Sequence, residues 1–183
     1  TKGTPYHYLV VLGYRCGMSL VDCCCLRWQS IDLNRLMLEC SRLKLPKNCK
    51  AAQYTVPIIA GGDLHLLLED MLKNRLVQYN NQWDEFVNPY MATFYGFGRR
   101  RITEYFSNLF RRMGIPRTFK HFRNTLVSHL ANSEGNMALA CNITGHSDPK
   151  TFMGYVKPDE RALRTMMMKA QAWGENQQTK EKK

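Results

Sequence analysis

The sequence predicts an α+β domain, mainly helical, carrying one small antiparallel β-hairpin sheet. Three observations lead there. Apolar residues recur every three or four positions through most of the chain, the periodicity of helices with one buried face. One segment, residues 36–59, instead holds two β-rich runs on either side of a Pro-Lys-Asn-Cys-Lys turn. At 183 residues and 44% hydrophobic, the chain suits one ordinary domain with a sizeable core.

Taken in order, residues 5–28 carry apolar side chains at helical spacing up to "LRWQSIDL". Gly13 and Gly17 interrupt them, so two helices meet there or one bends. The hairpin follows in "LMLECSRLKLPKNCKAAQYTVPII", with Lys44 on its first strand and Lys47 and Lys50 at its turn. After the Gly61-Gly62 break, Asp63 caps a helix in which Leu64, Leu67, Leu68, Met71 and Leu72 share a face. Residues 80–98, polar and aromatic with Pro89, Gly96 and Gly98, read as loop. "RRRITEYFSNLFRRMG" (99–114) is a basic amphipathic helix closed by Gly114 and Pro116. Thr118 caps the next helix, "FKHFRNTLVSHLANS", and "NMALACNITG" makes a short one before His146. Beyond Pro158, residues 159–173 are amphipathic through Leu163, Met166, Met167, Ala170 and Trp173. Residues 176–183 are expected to be a disordered basic tail.

Composition narrows the function. Lys and Arg number 26 against 15 Asp and Glu, a net charge of +11, which favours encounter with polyanions and puts nucleic acid first among partners. Arg99, Arg100, Arg101, Arg111 and Arg112 are candidate phosphate contacts, against the plainer reading of a solvated helix face. No apolar run nears the roughly 18 residues that span a bilayer. Seven cysteines, three of them adjacent (Cys23, Cys24, Cys25), do not suit a secreted disulfide framework. They are expected to be small buried hydrophobes in a reducing, cytoplasmic setting. A metal-dependent nuclease needs clustered carboxylates or ligand-spaced His and Cys. Asp63, Glu69 and Asp70 fall on a structural helix, and His7, His65 and His129 lack such spacing, so neither metal nor other cofactor is expected. The opening "TKGTPYHYLV" enters an amphipathic pattern almost at once, as expected of a piece of a longer protein.

One stretch asks for partners: "TGHSDPKTFMGY" places His146 after a glycine and Tyr155 nine positions on. Together with "CGMSLVDCCCLRWQSID" (16–32), "KHFRNT" (120–125) and "TGHSDPKTFMGYVKP" (144–158), it resembles the catalytic domain of tyrosine site-specific recombinases, the lambda-integrase-like family. Typical members carry "TGLRISELLGLRWSDID", a hairpin lysine, "HxLRHT" and "LGHSSISTTMxYTH" in that order. The resemblance spans nearly the whole chain. It implies a catalytic domain over residues 1–175 that cuts and rejoins double-stranded DNA through a 3′-phosphotyrosyl bond. Tyr155 would be the nucleophile and Arg123 the fork on the nonbridging phosphate oxygens. His146 would donate to the phosphate or position the tyrosine. A hairpin lysine, Lys47 ahead of Lys50, would protonate the leaving 5′ oxygen. The resemblance further implies homo-oligomers on DNA, a tetramer coupled through the C-terminal helix, in a nucleoid-associated protein of a mobile element.

Two positions depart from the family pattern. Ser19 stands where the first arginine is usual and cannot supply its charge. Arg15, one turn earlier if the helix is continuous, is the expected stand-in, although Gly17 lies between. Asp22 keeps the acidic residue that follows three positions on. Lys120 stands where the first histidine is usual, retaining charge while being a poorer proton acceptor near neutral pH. Its neighbour His121 points about 100° away on a helix. The alternative to an active enzyme is a DNA-binding relative with impaired chemistry, acting in regulation or as an architectural factor.

Overall fold

The computed structural model describes residues 4, 6–44, 53–78, 85–133, 137–146, 148–154, 159–160, 163–165 and 167–168, with backbone alone at 75–78, 89 and 92–99. Among the described residues, α-helices pack about one small sheet: α1 (Tyr6–Cys16), α2 (Leu20–Cys24), α3 (Asp63–Gln78), α4 (Pro89–Arg112), α5 (Lys120–Asn132), α6 (Met137–Thr144) and α7 (Pro149–Met153). The sheet runs β1 (Ile31–Asp32), β2 (Met37–Ser41) and β3 (Gln53–Pro57), antiparallel and in that order. The α+β, mainly helical reading holds.

α1 is the central element. Leu9 and Leu12 are fully enclosed, meeting a core to which Leu38 of β2, Leu68 of α3, and Ile102 and Phe106 of α4 also belong. Burying a leucine of this kind contributes about 1.5–3 kcal/mol. The cysteines join this core: Cys16, Cys23, Cys24 and Cys40 are buried, and the six cysteines among the described residues are free thiols. A smaller cluster of Val127 (α5), Ala140 and Cys141 (α6) and Phe152 (α7) seats the end of the chain that leads toward residue 155.

Three expectations are corrected. Residues 89–98 are not loop: α4 begins at Pro89, where Asn88 caps by accepting from the Met91 N–H at 3.0 Å. Proline at the first helical position is preset for the helix, so its presence signals a start there and not a break. The hairpin also has a third strand, β1, joined by a turn in which Asp32 Oδ1 accepts from the N–H groups of Asn34 and Arg35. Thr118 does not cap α5 with its hydroxyl; its backbone N–H donates to His121 Nδ1 at 3.1 Å, and its carbonyl accepts from the His121 N–H. Of the expected C-terminal helix, the described Leu163, Met167 and Met168 are exposed. The tail at 176–183 lies outside the described residues.

The helical pattern of this first segment divides into two helices, α1 and α2, and Gly17 is the reason. It takes φ +61° between α1 and α2, and a Cβ there would sit 3.1 Å from Leu126 Cδ2 and 3.5 Å from Arg123 Cγ. Gly17→Ala is therefore expected to destabilise the domain by about 1–2 kcal/mol from the left-handed backbone alone. Urea unfolding checks it, as a lowered midpoint at unchanged slope.

Candidate active site

Arg123 and Lys120 stand three residues apart near the start of α5, hence on one face of the helix. Arg123 reaches across the domain: its Nη1 donates to Gly17 O at 2.9 Å and its Nη2 to Thr144 O. The same arginine lines a cleft of about 410 Å³ together with Lys120, Ser19, Lys44, and Thr103 and Ser107 of α4. Three cationic side chains from two separate segments thus face one space. The arginine fork is fixed there by two backbone carbonyls, which leaves its charge unneutralised.

His146 follows the C-terminus of α6. Gly145, at φ +61°, makes the turn, and a Cβ on it would come within 2.8 Å of the Tyr54 ring on β3. That close approach sets His146 beside the sheet. Its Nδ1 is 2.7 Å from the hydroxyl of buried Thr144, which also donates to Ala140 O at 2.8 Å, and its ring meets the Phe152 ring edge-on at 5.5 Å. Burial lowers the His146 pKa to about 4, and the Arg42 charge adds to the effect. The ring is neutral at pH 7, with one nitrogen donating and one accepting.

Arg42 escaped the sequence reading. Its Nη2 donates to Thr144 O at 2.7 Å, the acceptor that Arg123 also uses, and its guanidinium lies over the Tyr54 ring. A signal existed: Leu38 and Cys40 point inward on β2, and the two-residue period carries that inward face on to position 42. Among the described residues, neither Arg42 nor Arg123 forms an ion pair with a carboxylate.

Lys44 was expected on the strand. β2 ends at Ser41, and Lys44 lies in the following turn, facing the cleft. Asp22 organises this corner: Oδ2 accepts from the Ser19 hydroxyl at 2.7 Å, and Oδ1 from the Leu43 N–H at 3.0 Å. The buried carboxylate thereby fastens the hairpin to the start of α2, one residue before Lys44. Ser19 itself caps α2. Lys47 and Lys50 lie outside the described residues, as does Tyr155. The helix leading toward Tyr155 is anchored by fully buried Phe152 and capped by Asp148, which accepts from the N–H groups of Lys150 and Thr151.

Arg15 is not brought to this cleft. It pairs with Asp63 at 2.9 Å on the surface and lines a different groove, with Leu126, His129 and Ile143. His121 likewise faces another pocket, with Asn124, Ser128 and Gly154. Arg100 is exposed and paired with Glu104 at 2.7 Å, and its spacing places it on the α4 face that includes Thr103 and Ser107. Arg101 is exposed, and the side chain of Arg99 lies outside the described residues.

The phage integrase family model matches residues 1–161. A Pseudomonas syringae protein named as a tyrosine recombinase XerC is 26% identical over 163 residues, covering 84% of this chain and 33% of its own length. The crystal structure of XerA recombinase superposes with a TM-score of 0.66 at 20% identity, over 90% of this chain and 57% of that one. The transposon Tn1549 integrase, solved with circular intermediate DNA, gives 0.64 at 18% identity, over 93% and 61%. The chain thus spans about a third of its curated relative and less than two thirds of these solved chains, and the likeness to the latter is one of fold.

Burial of neutral His146 has a consequence for stability. The unfolded chain binds a proton here near pH 6.5 and the folded one only near pH 4, so this stability is fully present above pH 6.5 and is lost as pH falls toward 4. Thermal unfolding between pH 7 and pH 4.5 should show a falling Tm, and His146→Asn should flatten that fall. An unchanged slope in the variant would remove His146 as the cause.

Proposed function

The chain belongs to the phage integrase family, and from that premise we propose that it is the catalytic domain of a tyrosine recombinase, which cuts and rejoins double-stranded DNA at specific sites. The observation that carries this reading is the placement of Arg123: held by Gly17 O and Thr144 O in a cleft shared with Lys120 and Lys44, near a neutral histidine. A fixed, unneutralised guanidinium suits the charge that develops on a phosphate under attack.

The reaction balances without a cofactor. Tyr155 Oη bonds to the scissile phosphorus while its proton passes to water or to the neutral ring of His146. The bond from phosphorus to the 5′ oxygen breaks, and that oxygen takes a proton from a lysine. The phosphate stays esterified to Tyr155 through the 3′ strand, so attack by a 5′ hydroxyl restores the backbone with nothing consumed. Arg123 holds the nonbridging oxygens, and Lys120 adds positive charge where an imidazole is usual. We assign the proton donor to Lys44 ahead of the Lys47 expected from sequence, because Lys44 faces the cleft. Arg100 and Arg101, with Arg99, would contact flanking phosphates, giving salt-dependent binding. Exposed Leu163, Met167 and Met168 suit docking of the C-terminal segment on a neighbouring subunit of a DNA-bound tetramer.

A nicked duplex pool drawn from the ends of the element that carries the gene tests the nucleophile. Full-length protein should give a protein–DNA adduct that survives denaturation, and Tyr155→Phe should give none. Salt-sensitive DNA binding without any adduct would replace this reading by that of a DNA-binding relative with impaired chemistry.

The lysine assignment has its own test. Lys44→Ala should slow adduct formation by ~100-fold or more on ordinary DNA. A substrate whose leaving 5′ oxygen is replaced by sulfur needs no proton donor, since thiols ionise near pH 8.5. It should restore Lys44→Ala to near the wild-type rate. Equal losses on both substrates would exclude Lys44 as the acid and return the role to Lys47.

A further inference from the structure

We propose that Arg42 is a second phosphate-binding arginine of this site, acting with Arg123 and supplying, from the residue just past strand β2, the positive charge that Ser19 cannot. The inference rests on the recombinase reading for its substrate, a DNA phosphodiester, but its geometry stands on its own.

Arg42 and Arg123 come from separate segments, the residue following β2 and helix α5, and donate to the same acceptor, Thr144 O. Two like charges brought to one carbonyl repel each other, and no carboxylate among the described residues pairs with either. An anion shared by the two forks relieves that repulsion. The donors remain for it: of five N–H groups, Arg42 gives one to Thr144, and Arg123 gives two to carbonyls. Arg42 is also close enough to His146 for its charge to disfavour protonation of the ring. Its position continues the inward face set by Leu38 and Cys40, where a charged side chain is costly unless it serves a partner. Arg15, by contrast, is paired with Asp63 in another groove.

A plain structural role, stapling β2 to α6, predicts something different. Three full-length proteins decide between them: wild type, Arg42→Ala, and Arg42→Ala combined with Ser19→Arg. Inorganic phosphate should raise the Tm of wild type, leave Arg42→Ala unmoved, and raise the double variant again. On the nicked duplex, Arg42→Ala should form adduct ~100-fold more slowly, and restoring an arginine at position 19 should recover at least ~10-fold of that loss. A staple would not be repaired from α2. If Arg42→Ala does not fold, Arg42→Gln, which keeps an N–H donor without the charge, must show the same losses. The proposal is overturned if phosphate stabilises Arg42→Ala or Arg42→Gln, with Ser19 unchanged, as much as wild type, or fails to stabilise wild type. Wild type that binds phosphate through Arg42 yet forms no adduct leaves the Arg42 site standing and refutes the recombinase reading instead.

Discussion

The arrangement depends on one backbone atom, the carbonyl oxygen of Thr144. It closes α6, where the helix leaves its last carbonyls unpaired and carries partial negative charge. Arg123 from α5 and Arg42 from just past β2 both donate to it, and Arg123 also spans to Gly17 between α1 and α2. Four separate segments are tied at this point. A carboxylate in the same place would bind the arginines more strongly, and it would also cancel their charge. A carbonyl orients them while leaving them cationic, which is what a site for an anion requires.

The histidine follows from the same knot. Thr144 is wholly buried, and its hydroxyl sits against His146 Nδ1. Gly145 turns the chain tightly over Tyr54, which leaves the imidazole half-buried beside the sheet. A ring held in that way beside a guanidinium stays neutral. Near neutral pH the positive charge of the site is therefore carried by arginine and lysine, and the histidine is left to exchange or hold single hydrogen bonds. Phe152, packed edge-on to it, carries the order one helix further toward residue 155.

Much of this was legible in the sequence, and the rest was not for physical reasons. Helices with a buried face, α1, α3 and α5, show it in their apolar spacing, and the motif residues Arg123 and His146, which belong to separate motifs, both reach Thr144. β1 has two residues, too few for any period to show. The start of α4 was hidden because Gly96 and Gly98 disfavour a helix in isolation and Pro89 was read as a break, whereas Asn88 caps a helix that Pro89 opens and the packing of Met91 and Ile102 holds. Lys44 lies three residues past the end of β2, because the apolar pattern of a strand does not mark where its pairing stops. Arg15 was expected at the cleft on the assumption of a continuous helix, and the positive φ of Gly17 removes that continuity.

The relation between Ser19 and Arg42 shows what such a site constrains and what it leaves free. Stabilising an anion requires positive charge at a place, with donors aimed at it; the element that delivers the charge is secondary. Ser19 lines the cleft but its hydroxyl is engaged in local structure, capping α2 and donating to Asp22, and it brings no charge there. Asp22 in turn holds the Leu43 N–H, which fixes the end of β2 and with it the approach of Arg42 on one side and Lys44 on the other. A serine that binds Asp22 and an aspartate that binds the hairpin form one chain of contacts. Ser19 at the start of α2 and Arg42 just past β2 are thereby coupled through Asp22 and the Leu43 N–H.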